Sequence, residues 1–67
     1  MTLIIDTIYG ETIIKDVMLK TDGTTLNEGV EIIINDIVIA EIIGKTADEI
    51  TNFSNNEVED LIEEYIH

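Results

Sequence analysis

Val30-Glu31-Ile32-Ile33-Ile34-Asn35-Asp36-Ile37-Val38-Ile39-Ala40-Glu41-Ile42-Ile43 is the stretch that decides the fold. It holds two runs of β-branched residues, the types that pack best on a pleated surface. Between them stand only Asn35 and Asp36, both of which tolerate the positive φ of a two-residue hairpin turn. Residues 30–34 and 37–43 therefore read as an antiparallel hairpin, stopped by Gly44. Both strands are apolar on both faces over part of their length, so at least one must be central or covered.

Toward the N-terminus, residues 2–9 are rich in β-branched and aromatic types and read as a strand, with Gly10-Glu11 as a tight turn. Residues 12–20 read as its hairpin partner. Ile13, Ile14, Val17 and Met18 also fit one face of a helix, but Thr12, Ile13, Ile14 and Val17 favour a strand. Thr21-Asp22-Gly23 is a turn signal, and residues 24–29 read as a loop ending at Gly29. Toward the C-terminus the chemistry changes. Thr46-Ala47-Asp48-Glu49 and Ser54-Asn55-Asn56-Glu57 both match a capping box. The first opens a short helical turn running to Phe53, and the second opens a C-terminal helix. In that helix Val58, Leu61, Ile62, Tyr65 and Ile66 form one apolar stripe. The expectation is a single α+β domain over residues 1–67: a small antiparallel sheet of about four strands with one amphipathic C-terminal helix packed on it.

Sixty-seven residues lie near the lower limit for independent folding, where one core supplies roughly 3–5 kcal/mol. With no Cys, there is no disulfide or thiolate metal site to reinforce it. Fifteen Asp and Glu face three Lys (Lys15, Lys20 and Lys45) and no Arg, a formal charge of −12. A chain of this length has a radius of gyration of about 11 Å, against a Debye length of about 8 Å at physiological salt. The charge is thus felt collectively and opposes folding. Chloride added from low salt toward molar concentration should raise the melting temperature, and a thermal melt at each concentration checks it. A flat or falling melting temperature would mean that local ion pairs outweigh the net field.

The same charge disfavours direct contact with nucleic acid or an anionic membrane and favours basic protein surfaces as partners. Disorder is not implied, because 45% of the residues are hydrophobic and fifteen are Ile. No stretch is long enough to span a membrane, and the N-terminus lacks the basic start of a signal peptide, which points to the cytoplasm. The Ile and Asn richness without Pro fits an AT-rich bacterial or phage genome.

Carboxylates are plentiful, but no His or Cys is placed to partner a nucleophile and no Arg is present to stabilise an anionic transition state. A binding protein rather than an enzyme is expected, with no cofactor. Asp22 to Gly29 carries oxygen ligands but misses the order of a calcium loop, so no metal is expected either. His67 reads as a partner of the helix C-terminus or a frayed end. Tyr9, Phe53 and Tyr65, the three aromatics, read as core anchors, with Tyr65 also able to reach a partner.

The informative segment is the last third. Asp48, Glu49, Glu57, Glu59, Asp60, Glu63 and Glu64 are seven acids with no Lys or Arg among them. Glu59/Glu63 and Asp60/Glu64 are like-charge pairs one turn apart, costing roughly 0.2–0.5 kcal/mol each, and Glu63 and Glu64 sit at the end of the helix that disfavours anions. Such acids have Cβ atoms about 5–6 Å apart. Same-face strand positions lie about 6.6 Å apart. Both spacings approach that of phosphates along a nucleic-acid strand. Asp6, Asp16, Glu31, Asp36 and Glu41 are available to extend the pattern across the sheet.

In size, charge and want of catalytic residues the chain resembles the small acidic proteins by which phages block host nucleases, repair enzymes or defence complexes. That resemblance implies an inhibitor of the anti-CRISPR or anti-restriction kind, occupying the basic groove of a nucleic-acid-binding protein as a DNA mimic. The expected partner-binding residues are the seven acids with Tyr65, and Glu59, Asp60, Glu63 and Glu64 are expected to be replaceable without disturbing the fold. Two alternatives stand beside it: a homo-oligomeric structural or assembly module, motivated by the aliphatic excess, and an antitoxin-like regulatory binding module. A homodimer built from a strand edge or an apolar sheet face is expected.

Overall fold

The computed structural model describes residues 1–66, so the expectation for His67 lies outside the described residues. The elements run β1 (Thr2–Thr7), β2 (Gly10–Lys20), β3 (Leu26–Ile34), β4 (Ile37–Ile43), α1 (Ala47–Ile50) and α2 (Asn55–Ile66). The strands form one antiparallel meander in the order β1-β2-β3-β4. Neighbouring strands in sequence are neighbours in space, the simplest topology for short connections.

The Asn35-Asp36 turn forms as expected, with φ of 53° and 65°. Two expectations in the N-terminal half need correction. The β1–β2 turn is Ile8-Tyr9, not Gly10-Glu11: Thr7 pairs with Gly10, which opens β2 at a φ of 110°. Its lack of Cβ lets the chain leave a short turn straight into a strand. The second correction is larger. Residues 26–29, expected as loop, are the first half of β3, paired with Val17 to Lys20. Residues 12–20 are strand throughout, because β3 pairs with the whole of that stretch and β1 with its first part, up to Lys15.

Both helices lie on one face of the sheet. Their buried residues, Ala47, Ile50, Val58 and Ile62, join Ile14, Val30, Ile32, Ile34, Ala40 and Ile42 in one core. Each fully buried Ile or Val contributes about 1.5–3 kcal/mol relative to exposure, offset by the entropy of ordering the chain. In the expected stripe of α2, Val58 and Ile62 are buried and Leu61 half-buried, while Tyr65 and Ile66 stay about half exposed. A bulge in β4 interrupts the pairing after Ile32–Ala40 and resumes at Ile33–Val38, leaving Ile39 as the extra residue, packed against the core. Thr12 is the one buried polar side chain among the described residues. Its hydroxyl donates to Gly10 O at 3.2 Å and lies 3.0 Å from Thr7 Oγ1, so it is satisfied. No helix among the described residues is long and apolar enough to cross a membrane.

Candidate functional site

Each helix begins as its sequence dictates. Thr46 Oγ1 accepts from Glu49 N at 3.3 Å. Ser54 and Glu57 close a full capping box: Glu57 N donates to Ser54 Oγ, and Ser54 N donates to Glu57 Oε1, both at 3.2 Å. A third acid helps start α1 from a distance. Asp16 Oδ1 accepts from Ala47 N at 2.8 Å, and its Oδ2 takes the Met1 amino group at 2.9 Å. The Ala47 amide first, then the Met1 amine, hold the Asp16 carboxyl below its ordinary range, and Asp16 in turn raises the amine.

The expected site residues fall into three groups. Asp48, Asp60, Glu63 and Glu64 are exposed on the helical layer, as are Glu49 and Glu57, whose carboxylates also serve the caps. Tyr65 is about half exposed at the end of α2. Glu59 behaves differently. It is half-buried, and its Oε2 accepts from Ile8 N at 2.8 Å, tying the β1–β2 turn to α2. Asn55 Nδ2, donating to Asp6 O at 2.9 Å, makes a second tie to the same hairpin. Glu59 is therefore a structural link as well as an acid, and the expectation that all four helix acids can be reversed without cost to the fold is corrected.

The sheet acids divide by register. Glu31 and Glu41 pair directly across β3 and β4 on the face away from the helices, and Asp6 belongs to that face too. Asp36 is in the hairpin turn. Only Asp16 joins the helical side, and there it meets an acid the sequence did not single out. Asp16, Met18, Glu28, Thr46 and Asp48 line an open groove of about 570 Å³, where β2 and β3 run out past the helical layer. A second hollow shares Met18, Glu28 and Thr46 and extends to Leu26, Ile43 and Glu49. Together they make an apolar floor, with Met18 and Leu26 each more than half exposed, rimmed by carboxylates. The chemistry this offers is reception of a cation on an apolar stem, such as a Lys or Arg side chain. Of the rim acids, Asp16 is already paired with the Met1 amino group at 2.9 Å; Lys45 lies elsewhere, its Nζ 5.8 Å from the Phe53 ring centroid. No group of three or more metal-ligating side chains is found among the described residues.

No family model, curated protein or solved structure matches this chain.

Just past the C-terminal end of β2, Asp22 orders the loop to β3. Its Oδ1 accepts from Thr25 N at 2.9 Å and from Thr24 N and Oγ1 at 3.0 Å each. These bonds, the Thr25 amide foremost, hold its carboxyl below the ordinary 3.8. The stabilisation they give is fully present above 3.8 and is lost as pH falls through the folded value. Thermal melts of wild type and Asp22→Ala should show a constant gap from neutrality down to about 3.8, narrowing below it and closed once pH is under the folded value. A gap independent of pH would place the effect elsewhere.

Proposed function

We propose that this protein works by binding rather than catalysis, occupying the basic groove of a nucleic-acid-binding protein as a nucleic-acid mimic. It would act in a bacterial cytoplasm as an inhibitor of the phage kind. The observation that supports this best is the distribution of charge on the helical side. Seven acids from Asp48 to Glu64 lie on α1 and α2 with no Lys or Arg in residues 46–66, and Asp16 and Glu28 continue the acidic surface into the groove. A surface optimised for stability alone would intersperse lysines. A surface that stands in for phosphates would not.

Affinity purification from a bacterial lysate, with and without nuclease treatment, tests the reading. A basic nucleic-acid-binding protein should be captured in both cases, and added duplex should displace the acidic chain from it. A ternary complex with nucleic acid, or capture that depends on nucleic acid, would argue against mimicry. A second reading, a homo-oligomeric module, is favoured by a different observation: the far face of the sheet is apolar.

A further inference from the structure

The helices cover one face of the sheet only, and the opposite face is not built like a solvated surface. Ile4, Ile13, Ile33 and Val38 are register partners and form an apolar row across all four strands. Beyond it, Thr2, Lys15, Glu31 and Glu41 form a second row, and Val17, Gly29 and Ile43 a third. Ile4 is 59% exposed, Val38 43% and Ile43 45%. An antiparallel sheet with one wet face alternates apolar and polar along each strand. Here two apolar bands flank a single charged row. Ile13, Ile33 and Val17, on the inner strands, are half-buried, and Leu19 lies over Gly29, so the exposed apolar surface is greatest toward the edge strands.

We propose that this face is where two copies of the chain pack, sheet against sheet. A partner of −12 is repelled by most of this molecule, and this face is where repulsion is least. Most of the acids lie on the helical layer, in the loops and at the ends of the sheet. Inside the apolar bands only Lys15, Glu31 and Glu41 carry charge, and Lys15 Nζ is 3.7 Å from Glu31 Oε1. One negative charge is left over. Glu31 and Glu41 are directly opposed across β3 and β4, an unfavourable pair with one lysine beside it. A second copy brings a second Lys15 together with two more carboxylates, so the paired faces hold two lysines and four carboxylates, and each Lys15 can bridge its own Glu31 and the other copy's Glu41. The face thus carries the lysine and the carboxylates that complement each other, as a twofold interface requires. The resulting four-layer particle turns both helical layers outward, so it would leave the proposed acidic surface free and present it twice. The dimer does not depend on that surface having the function assigned to it.

Sedimentation equilibrium on the full chain tests it. Wild type should approach twice 7.5 kDa at high micromolar concentration. Val38→Glu and Ile4→Glu, on exposed positions of the two edge strands, should each weaken self-association by at least about a hundredfold, because symmetry places every change twice. Glu41→Gln should tighten it and Lys15→Glu should weaken it. Circular dichroism melts of the variants keep the test fair, since a folded monomer is the expected state of the two edge-strand variants. Wild type at 7.5 kDa throughout overturns the proposal and leaves the face to a different partner. A dimer that persists in both edge-strand variants overturns it too, by placing self-association on another surface.

Discussion

Gly29→Ala should destabilise the protein markedly, and Gly29→Val should leave it largely unfolded. Gly29 is buried within β3, opposite Val17 on β2 and Ile43 on β4. A Cβ built there would lie 2.5 Å from Ile42 O and 2.7 Å from Leu19 Cδ1. The leucine tip can swing away. The carbonyl cannot, because it belongs to the backbone of a paired strand. Two effects favour Ala: it stiffens the unfolded chain and suits a strand better than Gly, together worth roughly 0.5–1 kcal/mol. Forcing the strands apart costs about 1–3 kcal/mol, a large share of the roughly 3–5 kcal/mol that a domain of this size has. For Ala the clash should win, lowering the melting temperature by roughly 4–8 °C per net kcal/mol. Gly44 is a useful contrast. Its φ of 86° asks for a left-handed residue but has open space, so Gly44→Asn should be tolerated better than Gly44→Ala. At Gly29 no such preference should appear, because the constraint there is room and not dihedral angle. A Gly29→Ala variant that melts higher than wild type would refute the close approach.

The same residue marks what sequence could and could not disclose. The Val30 to Ile43 hairpin was legible because its turn, propensity and apolar pattern all point one way. The helix starts were legible because a cap is a four-residue chemical device, complete in itself. Leu26-Asn27-Glu28-Gly29 is strand for a reason that is not local. Asn, Glu and Gly are poor strand formers, and pairing with Val17 to Lys20 imposes the conformation. The Ile8-Tyr9 turn lies two residues before the one that Gly10-Glu11 suggests, because Gly10 is the residue that exits the turn and not the turn itself.

The candidate surface was legible to a similar degree. That the C-terminal acids form an uncompensated block follows from counting. That Asp16 and Glu28 sit beside Asp48 follows only from the fold, which brings three segments distant in sequence to one end of the sheet. No spacing rule reaches that far. Nor does periodicity tell Glu59 from its neighbours, since its role is set by an amide of the β1–β2 turn that happens to face it.

These placements define the charge reversal that should abolish partner binding: Asp48→Lys, Asp60→Lys and Glu64→Lys combined. Glu57 is spared because it closes the α2 cap, Glu59 because it accepts from Ile8, and Glu63 because it too is engaged. The three changes take the formal charge of −12 half-way to zero. Stability should move little. Asp60 and Glu64, a like-charge pair one turn apart, become another like-charge pair, and a lysine near the C-terminus of α2 suits the helix dipole. Losing Asp48 from the first turn of α1 costs about 0.3–1 kcal/mol, offset by the reduced net charge. Binding should respond quite differently. Close charge pairs across an interface couple by about 1.5–7 kcal/mol, and each reversal replaces attraction with repulsion. Even at the low end, the three together should weaken affinity by at least about a thousandfold. Wild-type affinity should fall steeply with added salt, and whatever binding the variant retains should not. Val38→Glu, on the far side of the sheet, should leave the one-to-one affinity unchanged. The measurement is a titration of each variant against the captured partner at two salt concentrations, with Glu59→Gln as a variant that removes one charge while keeping an acceptor for Ile8. If the triple variant binds like wild type, the helical layer is solvated surface and not an interface. If Val38→Glu is instead the change that abolishes binding, the apolar face of the sheet is the functional one, and the acidity of the helices serves solubility alone.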